Sequence, residues 1–222
     1  MTLTTAQWTA IIAACGVAAQ FLIAYLGRRQ IMKQLDLQHL VSHRTTASFI
    51  ADKRQKWIDE LRTDMAFHLA LSQEIVWKWD GMRDRAAIRI QKEATDAAGK
   101  TNQTKANQIL QNAADAFSPE NGARDREHQE RHIRIMFRLN PNKDLHIKLR
   151  KCLYAIRTAL NNTQSANTVA ETKTLLEETI RLVSEAQGYT EAILKAEWQR
   201  LKQEVAYPET LMATIPKPEP KK

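Results

Sequence analysis

The uncharged run over residues 2–27, TLTTAQWTAIIAACGVAAQFLIAYLG, limits what this chain can fold into more than any other feature. A bilayer core of about 30 Å takes roughly 20 apolar residues as helix, and the stretch from Trp8 to Leu26 has that length. Such a helix satisfies its own backbone polar groups, as hydrocarbon demands. Trp8 and Tyr25 stand where interfacial aromatics belong, while Arg28, Arg29 and Lys33 form a basic flank on one side only. The expectation is a single-pass transmembrane anchor over 1–27, in contact with the lipid bilayer of the inner or plasma membrane. Its amino terminus lies outside and the rest of the chain is cytoplasmic.

Three rival readings are weaker. A cleaved signal peptide places its basic residues before a shorter apolar core, whereas here they follow it. Ile12-Ala13-Ala14-Cys15-Gly16 resembles a lipobox, but no Lys or Arg precedes Cys15 and the apolar run continues past it. A buried helix of a soluble protein would carry a polar stripe.

The same helix offers an association surface. Ala6, Ala10, Ala14 and Ala18 recur at every fourth position, and Gln20 lies on a second row with Ala13, Gly16, Ala24 and Gly27. Small residues let helix backbones approach closely, and an intramembrane Gln hydrogen-bonds to a partner for about 1 kcal/mol or less. A homo-oligomer is expected.

Six glycines and six prolines among 222 residues, half of the prolines in the last seven positions, leave few helix breakers. The fold expected is all-α, the membrane helix leading into an antiparallel, coiled-coil-like bundle of long helices. Residues 28–43 read as a juxtamembrane helical stalk, 44–206 as the bundle and 207–222 as a disordered tail. Cys15 and Cys152 are too far apart in kind to pair, which suits a reducing cytoplasm, and two lone cysteines have no metal spacing.

Along the bundle, Ile58, Leu61, Met65, Leu69, Ser72, Val76 and Trp79 alternate three- and four-residue steps, with Gly81 as the expected C-cap. A weaker helix is expected over 82–117, ending in a loop at Ser118-Pro119-Glu120-Asn121-Gly122. Residues 124–140 alternate like a strand in places, yet a lone strand has no partner, so helix is preferred, broken near Asn140-Pro141. Leu145, Leu149, Leu153, Ile156 and Leu160 carry a further helix. The last runs over 168–205 on Leu176, Ile180, Val183, Gln187, Thr190, Leu194, Trp198 and Leu201.

Residues 124–157 hold ten Lys or Arg against four Asp or Glu, whereas 161–209 hold five against eight. Arg131, Arg134, Arg138, Lys148 and Lys151 form a candidate basic face. It suits anionic lipid headgroups first and nucleic acid last, since no reading motif accompanies the charge. The plainer reading packs this arm beside the acidic final helix. His39 with His43, and His128 with His132, have i,i+4 spacing that can seed a metal site. In His-Gln-Glu-Arg-His, however, Gln129 occupies the place of the carboxylate base, and solvated histidines are the preferred reading. No phosphate loop, serine elbow or cysteine pair is present, so no enzyme activity, cofactor or metal is expected.

Trp57 and Trp198 stand on apolar stripes and are expected in the core, packed on each other, while Trp77 and Trp79 cannot share one helix face. The segments 53–62 (KRQKWIDELR) and 194–202 (LKAEWQRLK), with the Leu139-Asn140-Pro141 step, resemble a loose group of uncharacterised bacterial proteins. These have one N-terminal transmembrane helix and a helical cytoplasmic region, and the resemblance implies no activity. Three functions are weighed. The first is a non-enzymatic membrane-anchored scaffold or sensor that self-associates, its protein partner open. The second is a membrane-disrupting oligomeric effector of a bacterial or phage conflict system. The third is a basic tethering module for anionic lipid or nucleic acid.

Overall fold

The computed structural model describes residues 4–166 and 168–215, the side chain of residue 10 excepted. Among these the chain forms an all-α bundle of five helices and no strand: α1 Thr5–Glu93, α2 Gln103–Arg138, α3 Asp144–Ser165, α4 Val169–Ala206 and α5 Pro208–Thr214. The chain divides into two compact units. One joins α1 up to Asp52 with the chain from Lys202 onward, and the other is Lys53–Leu201. The unit boundaries thus fall inside the 44–206 region expected to form the bundle.

The larger unit is built on a seven-residue repeat in α1. Ile58, Leu61, Met65, His68, Ser72, Ile75, Trp79, Met82 and Ala86 advance by alternating steps of three and four, and all are buried. This spacing keeps one face of a helix turned to its neighbours. The helix therefore does not stop at Gly81; the burial of Met82 and Ala86 beyond it outweighs the ~1 kcal/mol a helical glycine costs. Trp79 meets Phe117 edge-on at 5.0 Å, and Trp77 is exposed.

The expected weak helix over 82–117 is instead a helical hairpin. After α1, Asp96 Oδ1 accepts the amides of Ala98 and Lys100, and Gly99 takes φ = 79°, a left-handed conformation costly for any residue with a Cβ. The Asn102 side chain caps α2 by accepting from the Lys105 amide. A small apolar cluster of Ala94, Ala106 and Ile109, with Ile90, closes the tip.

The loop expected at 118–122 is also absent, because α2 runs through Pro119. Proline inside a helix costs about 3 kcal/mol. Here Phe117 and Asn121 are buried on either side of it, and Asn121 donates to Asp125 at 2.9 Å. Tertiary packing overrides the local preference. The break at Asn140-Pro141 occurs as expected, with α2 ending at Arg138.

Cross-helix contacts fix an up-down-up-down arrangement. Arg124 of α2 reaches Glu74 of α1, and Arg138 reaches Glu60, so the register runs antiparallel. In turn His132 meets Tyr154 and Gln164 reaches Asp125, setting α3 antiparallel to α2. Lys143 and Arg54 both pair with Glu197 of α4, and Cys152 Sγ donates to the Leu182 carbonyl. Of the expected α4 set, Val183, Thr190 and Leu201 are buried and Leu176 and Leu194 pack against the core, while Thr172, Thr179, Leu182, Ala186 and Ile193 are buried in place of Ile180, Gln187 and Trp198. Ile180 and Trp198 are about 40% exposed.

In the smaller unit Ala47 and Ala51 of α1 are buried, and Arg44, Ala47 and Ser48 line a cavity with Val205, Ala206, Pro208 and Glu209. Part of the expected tail is thus helical: α5 starts on Pro208, whose missing N–H is harmless at a helix start, and buries Leu211. Residues 216–222 of that tail lie outside the described residues.

Candidate functional site

Over the first 22 residues of α1, every described side chain is exposed. Phe21 is 74% exposed, with Ile12, Leu22 and Ile23 nearly as open. This helix is long and apolar enough to cross a membrane. Ala6, Ala14, Ala18 and Gln20 are all exposed on it, and the side chain of Ala10 lies outside the described residues. Water is a poor neighbour for such a surface: at roughly 25 cal/mol per Å2, each large apolar side chain left wet forgoes about 1.5–3 kcal/mol.

The expected basic face is dispersed by the fold. Arg131 donates to Asp64 Oδ1 at 2.7 Å, and Arg138 grips the other Asp64 oxygen and also Glu60. Both arginines are therefore largely committed to α1, not to the acidic final helix. Arg134 pairs within α2 with Glu130. Lys148 and Lys151 are exposed on α3. Asp64 is 3% exposed, and this two-arginine clamp satisfies a carboxylate that would be costly to bury alone.

His39 and His43 face each other loosely on α1, ring centroids 6.5 Å apart. The second pair differs from expectation: His128 and His132 are buried, because they lie on the inner face of α2 opposite His68. The His68 and His128 rings stack at 4.0 Å, and His132 is 5.5 Å from His68. His68 Nδ1 lies 3.3 Å from the His128 carbonyl, which can only accept, so that nitrogen carries the proton. Ser72 Oγ donates to the His68 carbonyl at 2.7 Å and lies 2.9 Å from His128 Nε2. Its one proton is spent, so His128 Nε2–H donates to the serine.

That leaves His68 Nε2 buried as a bare lone pair without a hydrogen-bond partner among the described residues; His132 Nδ1 is also buried there without a partner. Burial, then the neighbouring His128 and His132, pulls the His68 pKa down to about 2. Burial, then His132 and Arg157, pulls His128 to about 4. Burial lowers His132 too, helped by Arg157 and Arg150. Among the described residues no group of three or more His, Cys, Asp or Glu side chains is placed to hold a metal ion.

Two further groups escaped the sequence reading. Arg83, 6% exposed, donates to the carbonyls of Thr163, Gln164 and Ala166 and so closes the end of α3. A cation at a helix C-terminus is favoured by the macrodipole. Trp57 stacks on His146 at 6.4 Å, whereas Trp198 is 42% exposed. The first and last helices of the larger unit are joined at Glu197, and Trp57 packs against the core while Trp198 is not buried. Burial raises the Glu197 pKa, but the hydrogen bond from Lys143 and the Arg54 and Arg200 charges hold it net low.

The chain was compared with known proteins. No family model, curated sequence or solved structure matches it.

Proposed function

We propose that the protein is a non-enzymatic, single-pass membrane-anchored helical scaffold or sensor that self-associates. The observation carrying this reading is the uncharged span at the start of α1, exposed at every described side chain and followed directly by Arg28 and Arg29. An apolar surface of that length is stabilised by hydrocarbon, and the basic flank supports a cytoplasmic bundle. The polar groups gathered inside the bundle bridge helices: Asp64 holds α2, Arg83 holds α3 and Glu197 holds the ends of α3 and α4. Such joints make a stiff interaction body. Self-association rests on the row of Ala6, Ala10, Ala14 and Ala18 and on the second row that carries Gln20.

Alkaline carbonate extraction of membranes carrying the native protein, with crosslinking before solubilisation, tests the reading. Retention in the pellet and a ladder of crosslinked species are expected. Release into the supernatant overturns the anchor, and a monomer-only pattern overturns self-association.

A further inference from the structure

We propose that His68, His128 and His132 form a proton-sensing centre that releases α2 from α1 when the solution around the bundle acidifies. The inference concerns the larger unit alone and does not depend on the membrane anchor.

On His68 the geometry leaves an added proton without an acceptor. Two of the links between α1 and α2 run through these rings, from His68 Nδ1 to the His128 carbonyl and from His128 Nε2 to Ser72. The vacant proton site on His68, Nε2, is 0% exposed by residue and has no acceptor among the described residues; His132 Nδ1 is also buried without a partner. A new N–H at His68 Nε2 is a buried donor without a partner, which costs about 1–3 kcal/mol before its charge is counted. The stacked rings 4.0 Å apart then repel as cations.

The charges around the trio do not offset this. On α1, Asp64 lies one turn from His68 but is committed to Arg131 and Arg138. On α2, Asp125 is held by Asn121 and Gln164, and burial raises its pKa, so its protonation acts in the opposite sense. From α3, Arg150 and Arg157 are positive and Tyr154 presents its ring edge to His132. Movement of α2 away from α1, letting water reach the rings, is the available response.

The sign follows from linkage. The rings are neutral when folded and take up protons near pH 6.5 when exposed, so the open state binds more protons below that pH. Stability is full above pH 6.5 and falls as the pH drops. Each ring kept neutral gives about a tenfold shift toward the open state between pH 7.5 and 5.5, and the trio about a hundred- to a thousandfold.

Hydrogen exchange on the full-length protein in detergent micelles at pH 7.5, 6.5 and 5.5 tests this, after correction for the intrinsic exchange rate. Amides of 64–72 and 124–135 are expected to open at least a hundredfold more at pH 5.5. The double variant H68L/H132L removes both buried, unpartnered nitrogens but leaves the His128–Ser72 link, and should lose most of that dependence. H39Q/H43Q should keep it. A change below tenfold in the native protein, or full dependence in H68L/H132L, overturns the proposal. Should that variant fail to fold, a histidine-ring NMR titration of the native protein decides: three rings titrating near pH 6.5 with the fold intact overturn it, and rings still neutral at pH 5.5 support it.

Discussion

Arg131 of α2 places Nη1 2.7 Å from Oδ1 of Asp64 on α1, and that carboxylate belongs to a residue only 3% exposed. With Arg138 on its other oxygen, Asp64 is the ionic joint between the two longest helices of the larger unit. Replacing Asp64 by Ala leaves two facing guanidiniums without their shared anion. A loss of about 2–4 kcal/mol is expected, read from denaturant unfolding in detergent. Arg134→Ala, which removes a pair confined to one exposed helix face, should cost under about 0.5 kcal/mol.

Arg83→Ala should destabilise by about 2–4 kcal/mol, because the Thr163, Gln164 and Ala166 carbonyls lose a charged donor. Arg83→Lys should recover little, since one ammonium cannot span the three acceptors as a planar fork does. Hydrogen exchange localised to the last turn of α3 separates this effect from global loss.

Gly99→Ala places a Cβ on a residue at φ = 79° and should cost about 1 kcal/mol, whereas Gly99→Asn should cost less. Thermal melts of both variants check the order.

Cys152 donates its thiol to the Leu182 carbonyl, and burial raises its pKa to about 11. At pH 8 in the folded protein a polar maleimide should leave it unmodified, with labelling following denaturation. Cys15 is exposed on the apolar span, so in intact membranes the same reagent should fail there as well. Rapid labelling of Cys15 in sealed membranes would count against the anchor.

Val17→Arg puts a charge near the middle of the span, at an insertion cost of about 2.5–3.5 kcal/mol. The membrane-bound fraction should fall accordingly. Gln20→Leu should leave it unchanged but weaken crosslinking.

How far the chain's own letters revealed these features depended on where the decisive signal lay. The α1 stripe was readable because Ile58, Leu61, Met65 and Trp79 are apolar at helical spacing, and their burial follows. His68 was passed over for Leu69, because hydropathy ranks a histidine below a leucine while the seven-residue repeat does not. The same bias put Ile180 and Trp198 on the inner face of α4, where Thr179 and Ala186 are in fact buried. The hairpin over 94–102 did carry local turn chemistry in Asp96, Gly99 and Asn102, but the polar surroundings of these residues hid it. Arg83 and Asp64 had no local signal at all, since their partners lie some 70 to 80 residues away in the chain.

Pro119 withholds one rung from the backbone ladder of α2, at a place where the main apolar cluster gives way to the small one around Ala106 and Ile109. The hairpin beyond it is therefore stitched to the rest by fewer threads than its length suggests. Unravelling that starts at the tip should halt there, so the hairpin can breathe on its own while the four-helix body stays shut.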